Sequence, residues 1–186
     1  MLSRPTITAD QLIALKQVLW KNASVFAVHS LDIGRTSIVQ HTVNLKPDAD
    51  LSKVRAYAYR QPPERQAVIR KQVNDWIAMG IVEESSSPYS SPVVLVRKGE
   101  KYRLCIDFRK LNKETLPSAY PLPRIDELLD SLHGSKYFAT IDLKSAFLQI
   151  ELDHTSRELT AFVTREGHFH FRTMPFGLST ASVTCQ

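Results

Sequence analysis

The stretch Tyr137-Phe138-Ala139-Thr140-Ile141-Asp142-Leu143-Lys144-Ser145-Ala146-Phe147-Leu148-Gln149-Ile150 decides how this chain is read. Its first half, Tyr137 to Leu143, is strand-like. At period 2 it puts Asp142 near the C-terminal end, on the same face as Phe138 and Thr140. A carboxylate at the end of a buried strand is costly unless a donor or a cation compensates it. Physics alone leaves two readings open: a cap on the next helix through backbone N–H groups, or a metal-binding or catalytic carboxylate. Phe147 to Leu152 alternates apolar and polar, as a strand or a helix-to-strand passage. Taken alone, Phe147 reads as a core aromatic.

Working outward, Thr8 to about Asn22 reads as a helix. Thr8 and Gln11 form a capping-box pair, and Leu12, Leu15 and Leu19 share one face. Asp32 to Leu51 is irregular, with room for a strand. Its Asp32-Ile33-Gly34 is rejected as an aspartic-protease motif, because Ile33 lacks the hydroxyl that supports a carboxylate pair. Pro62-Pro63 opens a second helix that runs to about Met79 and stops at Gly80. Ile69, Val73, Trp76 and Ile77 make its apolar face. Pro92 to Val96 and Tyr102 to Phe108 form a β-hairpin whose tip, Arg97 to Lys101, is basic. Pro121 and Pro123 precede a third helix with Ile125, Leu128, Leu129 and Leu132 on one stripe, stopped by Gly134. Ala161 to Thr164 and His168 to Phe171 read as a second hairpin. His168 and His170 share a face at a metal-like spacing. With no third ligand nearby, they read as a polar hairpin face.

The composition is that of an ordinary globular protein: 186 residues, 43% hydrophobic and 23% charged. Two cysteines, Cys105 and Cys185, are too few for a disulfide framework and too far apart in sequence for a zinc motif. No apolar run approaches the roughly 18 residues of a membrane span, so no membrane partner is expected. Neither glycine-rich phosphate motif is present. Net charge is +5, and the basic surplus sits between Lys53 and Lys113, where 13 Lys+Arg face 6 Asp+Glu. Such a field favours a polyanionic partner.

The stretch around Asp142 resembles the first carboxylate motif of reverse transcriptases, most closely those of gypsy-type long-terminal-repeat retrotransposons. Three further segments resemble that family in order and spacing. Ile81 to Val96 is similar to its entry into the fingers. Tyr102-Arg103-Leu104-Cys105-Ile106-Asp107-Phe108-Arg109-Lys110-Leu111-Asn112 is similar to its fingers hairpin. Phe171-Arg172-Thr173-Met174-Pro175-Phe176-Gly177-Leu178 is similar to its second motif. The resemblance implies an α+β fold, the right-hand fold of reverse transcriptases and DNA polymerases, with fingers plus an incomplete palm. It implies a linker or N-terminal extension over 1–45, following a protease-like region. Fingers would take 46–115 and 153–174, and a partial palm 116–152 and 175–186.

The implied activity is RNA-directed DNA polymerisation, with two Mg²⁺ ions, or Mn²⁺ in their place, as cofactors. The partners would be an RNA or DNA template-primer and a dNTP. In the family the counterpart of Asp142 bridges both ions, and that of Leu143 offers its backbone carbonyl to one. Lys144, Ser145, Ala146 and Phe147 would lie against the nucleotide, Phe147 as the steric gate against a ribose 2′-hydroxyl. Arg103 would grip the triphosphate with its guanidinium fork. Lys98 or Arg97 would take the γ-phosphate from the hairpin tip. Phe176 and Gly177 would pack under the base and the primer-template. Lys110, Asn112 and Lys113 would face template phosphates, and Asp107 would be structural or template-side.

Two departures qualify this. The family's Y-x-D-D motif is missing, and no Asp-Asp pair occurs anywhere in the chain. One carboxylate cannot hold two divalent ions against their mutual repulsion, so the chain by itself is expected not to polymerise DNA. The strand ending at Asp142 is expected to lack its neighbour in the sheet. The remaining Pol segments (the rest of the palm, thumb, ribonuclease H and integrase) would be missing from this chain. Leu178 to Gln186 also departs from the family's L-C-N-A-P-A-T-F-Q at Ser182 and Cys185. The rival expectation is a non-catalytic nucleic-acid-binding module or a degenerate retroelement remnant. By resemblance, the place of work would be a cytoplasmic virus-like particle.

Overall fold

The computed structural model describes residues 7–29, 31–99, 101–121 and 124–186, with Lys101 described by its backbone only. The first six residues of the expected linker, Glu100 of the hairpin turn and Pro123 before the third helix lie outside the described residues. In chain order the elements are α1 (Ala9–Lys21), β1 (Thr36–His41), α2 (Pro63–Ala78), β2 (Val82–Glu84), β3 (Ser91–Lys98), β4 (Lys101–Ile106), α3 (Arg109–Glu114), α4 (Ile125–Ser131), β5 (Ile150–Leu152), α5 (His154–Leu159), β6 (Phe162–Val163), β7 (His168–Phe171) and α6 (Ala181–Thr184). The chain forms two compact units. The smaller comprises Met1–Ile33 and Pro121–Lys144, the larger Gly34–Tyr120 and Ser145–Gln186.

In the smaller unit, α1 starts where its capping box directs. Gln11 N donates to the Thr8 hydroxyl at 3.3 Å, and Thr8 N donates to Gln11 Oε1 at 3.0 Å. Its leucine stripe forms as expected, yet no residue of α1 or α4 is buried. The strand expected over Tyr137 to Leu143 is not formed: these residues carry no regular structure. A strand exists only through ladder bonds to a neighbour, and none pairs with this segment among the described residues. Phe138, Ile141 and Leu143 are therefore exposed, and Asp142 is not at the end of a buried strand.

The larger unit is built on a five-stranded mixed sheet in the order β2-β7-β6-β3-β4. Both expected hairpins form. β3 and β4 run antiparallel from Val93↔Ile106 to Lys98↔Lys101, and β6 and β7 pair at Phe162↔Phe169 and Val163↔His168. β6 lies parallel to β3 and β7 antiparallel to β2, so the second hairpin is inserted between two strands far earlier in the chain. A two-stranded parallel pair, β1 with β5, is added beside this, and β5 also bridges to the segment after β7 at Glu151↔Thr173. Residues 36–41, expected within the N-terminal linker, are thus strand-paired in the larger unit.

Alternation along β7 sends Phe169 and Phe171 inward and leaves His168 and His170 half-buried. Phe171 is wedged between Phe162, Trp76 and Phe108, with ring centroids at 5.2, 5.4 and 6.4 Å. Helix α2 supplies Trp76 together with buried Ile69 and Val73. Ile77, expected on the same face, is exposed, because the stripe facing the sheet is centred on Ile69 and Val73. Gly80, at φ +64°, ends the helix in a left-handed conformation that suits glycine.

Asp153 caps α5 by accepting from Thr155 N at 3.0 Å and Ser156 N at 3.2 Å, with the Ser156 hydroxyl adding a close contact. Burial alone would raise its pKa. Hydrogen bonds from Ser156, Thr155 and Thr42 outweigh that and lower it from 3.8 to about 2. The stabilisation is therefore complete above pH 3.8 and is lost as pH falls through about 2. Asp153→Asn should flatten the loss of thermal stability that the parent shows between these values, measured by melting across a pH series. In the core, Phe171→Ala should cost about 3–5 kcal/mol in urea unfolding, whereas Phe138→Ala should stay within about 0.5 kcal/mol.

Candidate nucleotide and nucleic-acid site

The candidate residues fall into both units. In the smaller unit, Asp142 is exposed, and its carboxylate has no hydrogen bond or ion pair among the described residues. It does not cap the turn that follows: Ser145 is the N-cap there, and no side chain caps it. The capping reading of Asp142 is thereby set aside. Leu143 is exposed, and the Lys144 ammonium donates to the His29 carbonyl at 2.6 Å.

In the larger unit, Ser145 to Gln149 forms a tight turn. Ser145 adopts φ 48°, ψ 48°, the one left-handed residue other than glycine among those described. This conformation costs an L-residue roughly 1–2 kcal/mol, and it turns the chain so that Ala146 to Gln149 makes a 3₁₀ turn closed by Leu148 N to Ser145 O at 2.8 Å. Leu148 is buried as the turn's anchor, and Phe147 is left half-buried. The Phe147 ring meets that of Phe176 with centroids 5.2 Å apart and planes tilted by 46°. Phe176 is 56% exposed, so the pair presents an aromatic surface rather than sealing a core. Two residues assigned to one ligand from separate motifs are thus brought into contact.

Gly177, at φ +96°, follows Phe176. A side chain there would sit 3.6 Å from the Ile106 carbonyl and the Phe108 ring. The Asn112 amide fixes this loop: its Nδ2 donates to the Gly177 carbonyl at 2.8 Å, and its Oδ1 accepts from Ser179 N at 2.9 Å. Asn112, expected at template phosphates, is engaged in bracing the Phe176–Gly177 loop instead.

The β3–β4 hairpin has one face packed on the larger unit's core through Val93, Leu104 and Ile106. Its other face carries Val94, Val96, Lys98, Arg103 and Cys105, cross-paired as Val94↔Cys105 and Val96↔Arg103. Val94 and Val96 are partly exposed, and the side chains of Lys98 and Arg103 are exposed without a partner among the described residues. Two cations on a shared open sheet face suit a phosphate chain. Arg97 lies on the opposite face and donates to the Gly99 carbonyl at 3.0 Å, which favours Lys98 between the two tip candidates.

Asp107 receives the Arg109 fork, at 2.8 Å from Nε and 2.6 Å from NH2. These hydrogen bonds hold its pKa below the usual carboxylate value, and the carboxylate is engaged with Arg109. Lys110 donates to the Arg55 carbonyl at 3.1 Å, and Lys113 is exposed. Lys110 thereby tethers an irregular segment, Arg55-Ala56-Tyr57-Ala58-Tyr59-Arg60, which is also held by the Ser90 hydroxyl on Ala56. Tyr57 is 92% exposed and Tyr59 56% exposed. The sequence reading passed over these two rings. Two tyrosines alternating with alanines and flanked by Arg55 and Arg60, in a non-helical, non-strand segment, are the signal for them.

The two imidazoles of His168 and His170 are occupied by protein: His168 with the Tyr89 carbonyl at 2.9 Å, His170 with the Ser85 hydroxyl and Glu83. Among the described residues no three His, Cys, Asp or Glu side chains converge to hold a metal ion. Asp142 offers one hard oxygen donor of the kind Mg²⁺ prefers. The set needed for two ions is not present in these residues.

Residues 96–186 match the family model described as reverse transcriptase (RNA-dependent DNA polymerase). The chain is 39% identical over 186 residues to the Pol polyprotein of transposon 297 of Drosophila melanogaster, covering 97% of this chain and 17% of that polyprotein. It is 40% identical over 174 residues to that of transposon 412 of the same organism, covering 90% and 14%. The enzymatic polyprotein of cauliflower mosaic virus (strain CM-1841) is 33% identical over 182 residues, covering 94% and 26%. The chain thus spans about a quarter or less of the length of these relatives. In fold it is similar to the native prototype foamy virus protease-reverse transcriptase, with TM-score 0.80, 22% identity, 96% of this chain and 24% of that one. It is similar also to the foamy viral protease-reverse transcriptase in complex with RNA/DNA hybrid, with TM-score 0.82, 21% identity, 97% and 25%. By these matches the chain belongs to the reverse transcriptase family, as a segment of the kind carried by Pol polyproteins of long-terminal-repeat retrotransposons.

Proposed function

We propose that this chain supplies the nucleotide-facing and template-facing surfaces of an RNA-directed DNA polymerase. The observation that carries the reading is the Phe147–Phe176 contact. Phe147 is the gate residue for the sugar of a dNTP, and Phe176 with Gly177 supports the base and the primer-template. Lys98 and Arg103 take the triphosphate on the open hairpin face, with Lys144, Ser145 and Ala146 lining the nucleotide. Asp142, with the Leu143 carbonyl, is a ligand for Mg²⁺ or Mn²⁺. When bound, such ions activate the primer hydroxyl and neutralise the triphosphate. One carboxylate does not fill two ions' coordination, so these residues alone bind substrates rather than join them. Lys110 and Lys113 contribute to template binding, Asn112 only through the loop it braces. The fingers and partial-palm boundaries, the further Pol segments and the cytoplasmic particle as place of work rest on the family resemblance.

A second reading has its own observation. The exposed Tyr57 and Tyr59 rings lie in the chain between exposed Arg55 and Arg60, a set of side chains that suits an unpaired nucleic-acid strand without any chemistry.

Titration of the chain into a labelled RNA/DNA hybrid separates the two. Under the polymerase reading, complementary dNTP with Mg²⁺ tightens binding, and Arg103→Ala removes that gain, on the order of tenfold. Binding indifferent to nucleotide and metal would leave only the nucleic-acid-binding module. Tyr57→Ala and Tyr59→Ala should each weaken single-strand binding by roughly 1–3 kcal/mol with unchanged melting, read by fluorescence anisotropy at fixed salt.

A further inference from the structure

Phe147 sits in a turn whose backbone is held from a distance. Arg35 NH1 donates to the Leu148 carbonyl at 2.6 Å, from a residue 113 positions earlier in the chain. The other terminal nitrogen, NH2, donates to the Met79 and Gly80 carbonyls, both at 3.1 Å. Those two carbonyls lie just past the end of α2, where the helix leaves its last acceptors without partners. One planar guanidinium therefore ties the end of α2 to the residue after Phe147. Gly34 completes the approach: a side chain at that position would come within 3.4 Å of the Gln149 amide. The charges that Arg35 feels are Glu151, which attracts it, and Arg172, which repels it.

The geometry points to Arg35 as a positioning residue for the Phe147–Phe176 pair, and hence for discrimination between deoxyribose and ribose in a bound nucleotide. The turn's local restraints are the burial of Leu148 and short-range backbone hydrogen bonds. Ser145 stands in a strained conformation with no side-chain cap, and 3₁₀ hydrogen bonds close the turn, Leu148 N donating to Ser145 O and Ile150 N to Phe147 O. Phe176 is largely exposed and cannot fix Phe147 by burial. The restraint that reaches the turn from a distant part of the chain is at the Leu148 carbonyl, and Arg35 holds it. A lysine cannot reproduce this, because its compact ammonium lacks the fork that reaches acceptors on two elements at once. The specificity half of the inference rests on the proposed function. The positioning half does not.

The test uses the full chain labelled with 4-fluorophenylalanine, whose eight phenylalanines give separate ¹⁹F signals, Phe147 being identified by Phe147→Leu. The parent should show one Phe147 signal that shifts in Phe176→Leu. Arg35→Ala and Arg35→Lys should broaden or split that signal and remove its response to Phe176→Leu, while the Phe162, Phe169 and Phe171 signals stay in place. Faster amide exchange over 145–150, with the core amides unchanged, should accompany this. A Phe147 signal unaltered in both variants would overturn the inference. Arg35→Gln, which keeps a planar donor, decides the matter if the alanine variant does not fold: partial retention of the parent signal is expected, and a signal identical to the parent's would overturn it. In the ternary binding assay, the preference for dATP over ATP should fall on the order of tenfold in Arg35→Lys. If the parent binds no nucleotide, the polymerase reading fails, and the positioning of Phe147 is still judged by the ¹⁹F signals. If nucleotide binds and the preference is unchanged, the specificity half fails alone.

Discussion

The burial of Phe171 is the interaction on which the larger unit depends. Its ring touches Trp76 from α2, Phe162 from β6 and Phe108 from the loop after β4. These come from three separate stretches of chain, so one side chain holds the helix, the inserted hairpin and the first hairpin together. The strand that carries it runs straight on into Met174, Pro175 and Phe176. The core contact thus also fixes where the loop with Phe176 and Gly177 emerges. Packing of aromatic rings in preferred tilted arrangements adds specificity to the area they remove from water.

The site shows a division of labour that follows from exposure. Buried neighbours of the site residues (Leu148 beside Phe147, Met174 and Pro175 before Phe176) anchor the backbone, while the functional side chains stay open. Asn112 is spent on bracing, with both ends of its amide bonded to the 177–179 loop. Asp107, which looks like a spare acid in the sequence, is spent on Arg109. Among the hairpin's described side chains, Lys98 and Arg103 stay without a partner, and they lie on one face because β-strands alternate.

Much of the local structure was legible in the sequence, because short-range chemistry sets it. The Thr8–Gln11 capping box, the Pro63 start and Gly80 stop of α2, and both hairpins need only near neighbours. The unread parts depend on distant partners. The strand expected at Tyr137 to Leu143 has the right pattern, but pattern supplies no hydrogen-bond partner. Ile77 has the right spacing, but the angle at which α2 meets the sheet decides which stripe is covered. For the site, the motifs named the residues and even paired Phe147 with Phe176 by ligand. The engagement of Asn112 and the exposure of Tyr57 and Tyr59 could not be read, since both arise from how an irregular loop lies on the rest of the unit.

The order of strands also sets a timetable for synthesis. β1 must wait for β5, and β2 for β7, because each pairs only with a strand from the chain's last third. At a synthesis rate of roughly 5–20 residues per second, the 113 residues that separate Arg35 from Leu148 take on the order of 5–20 s to appear. Through that interval β1, and from their own synthesis β2 and one edge of β3, stand open on the nascent chain, the condition in which strands pair with the wrong neighbour. A chain with this strand order leaves β1 and β2 unpaired until its own last third has been made and can reach back to close the sheet.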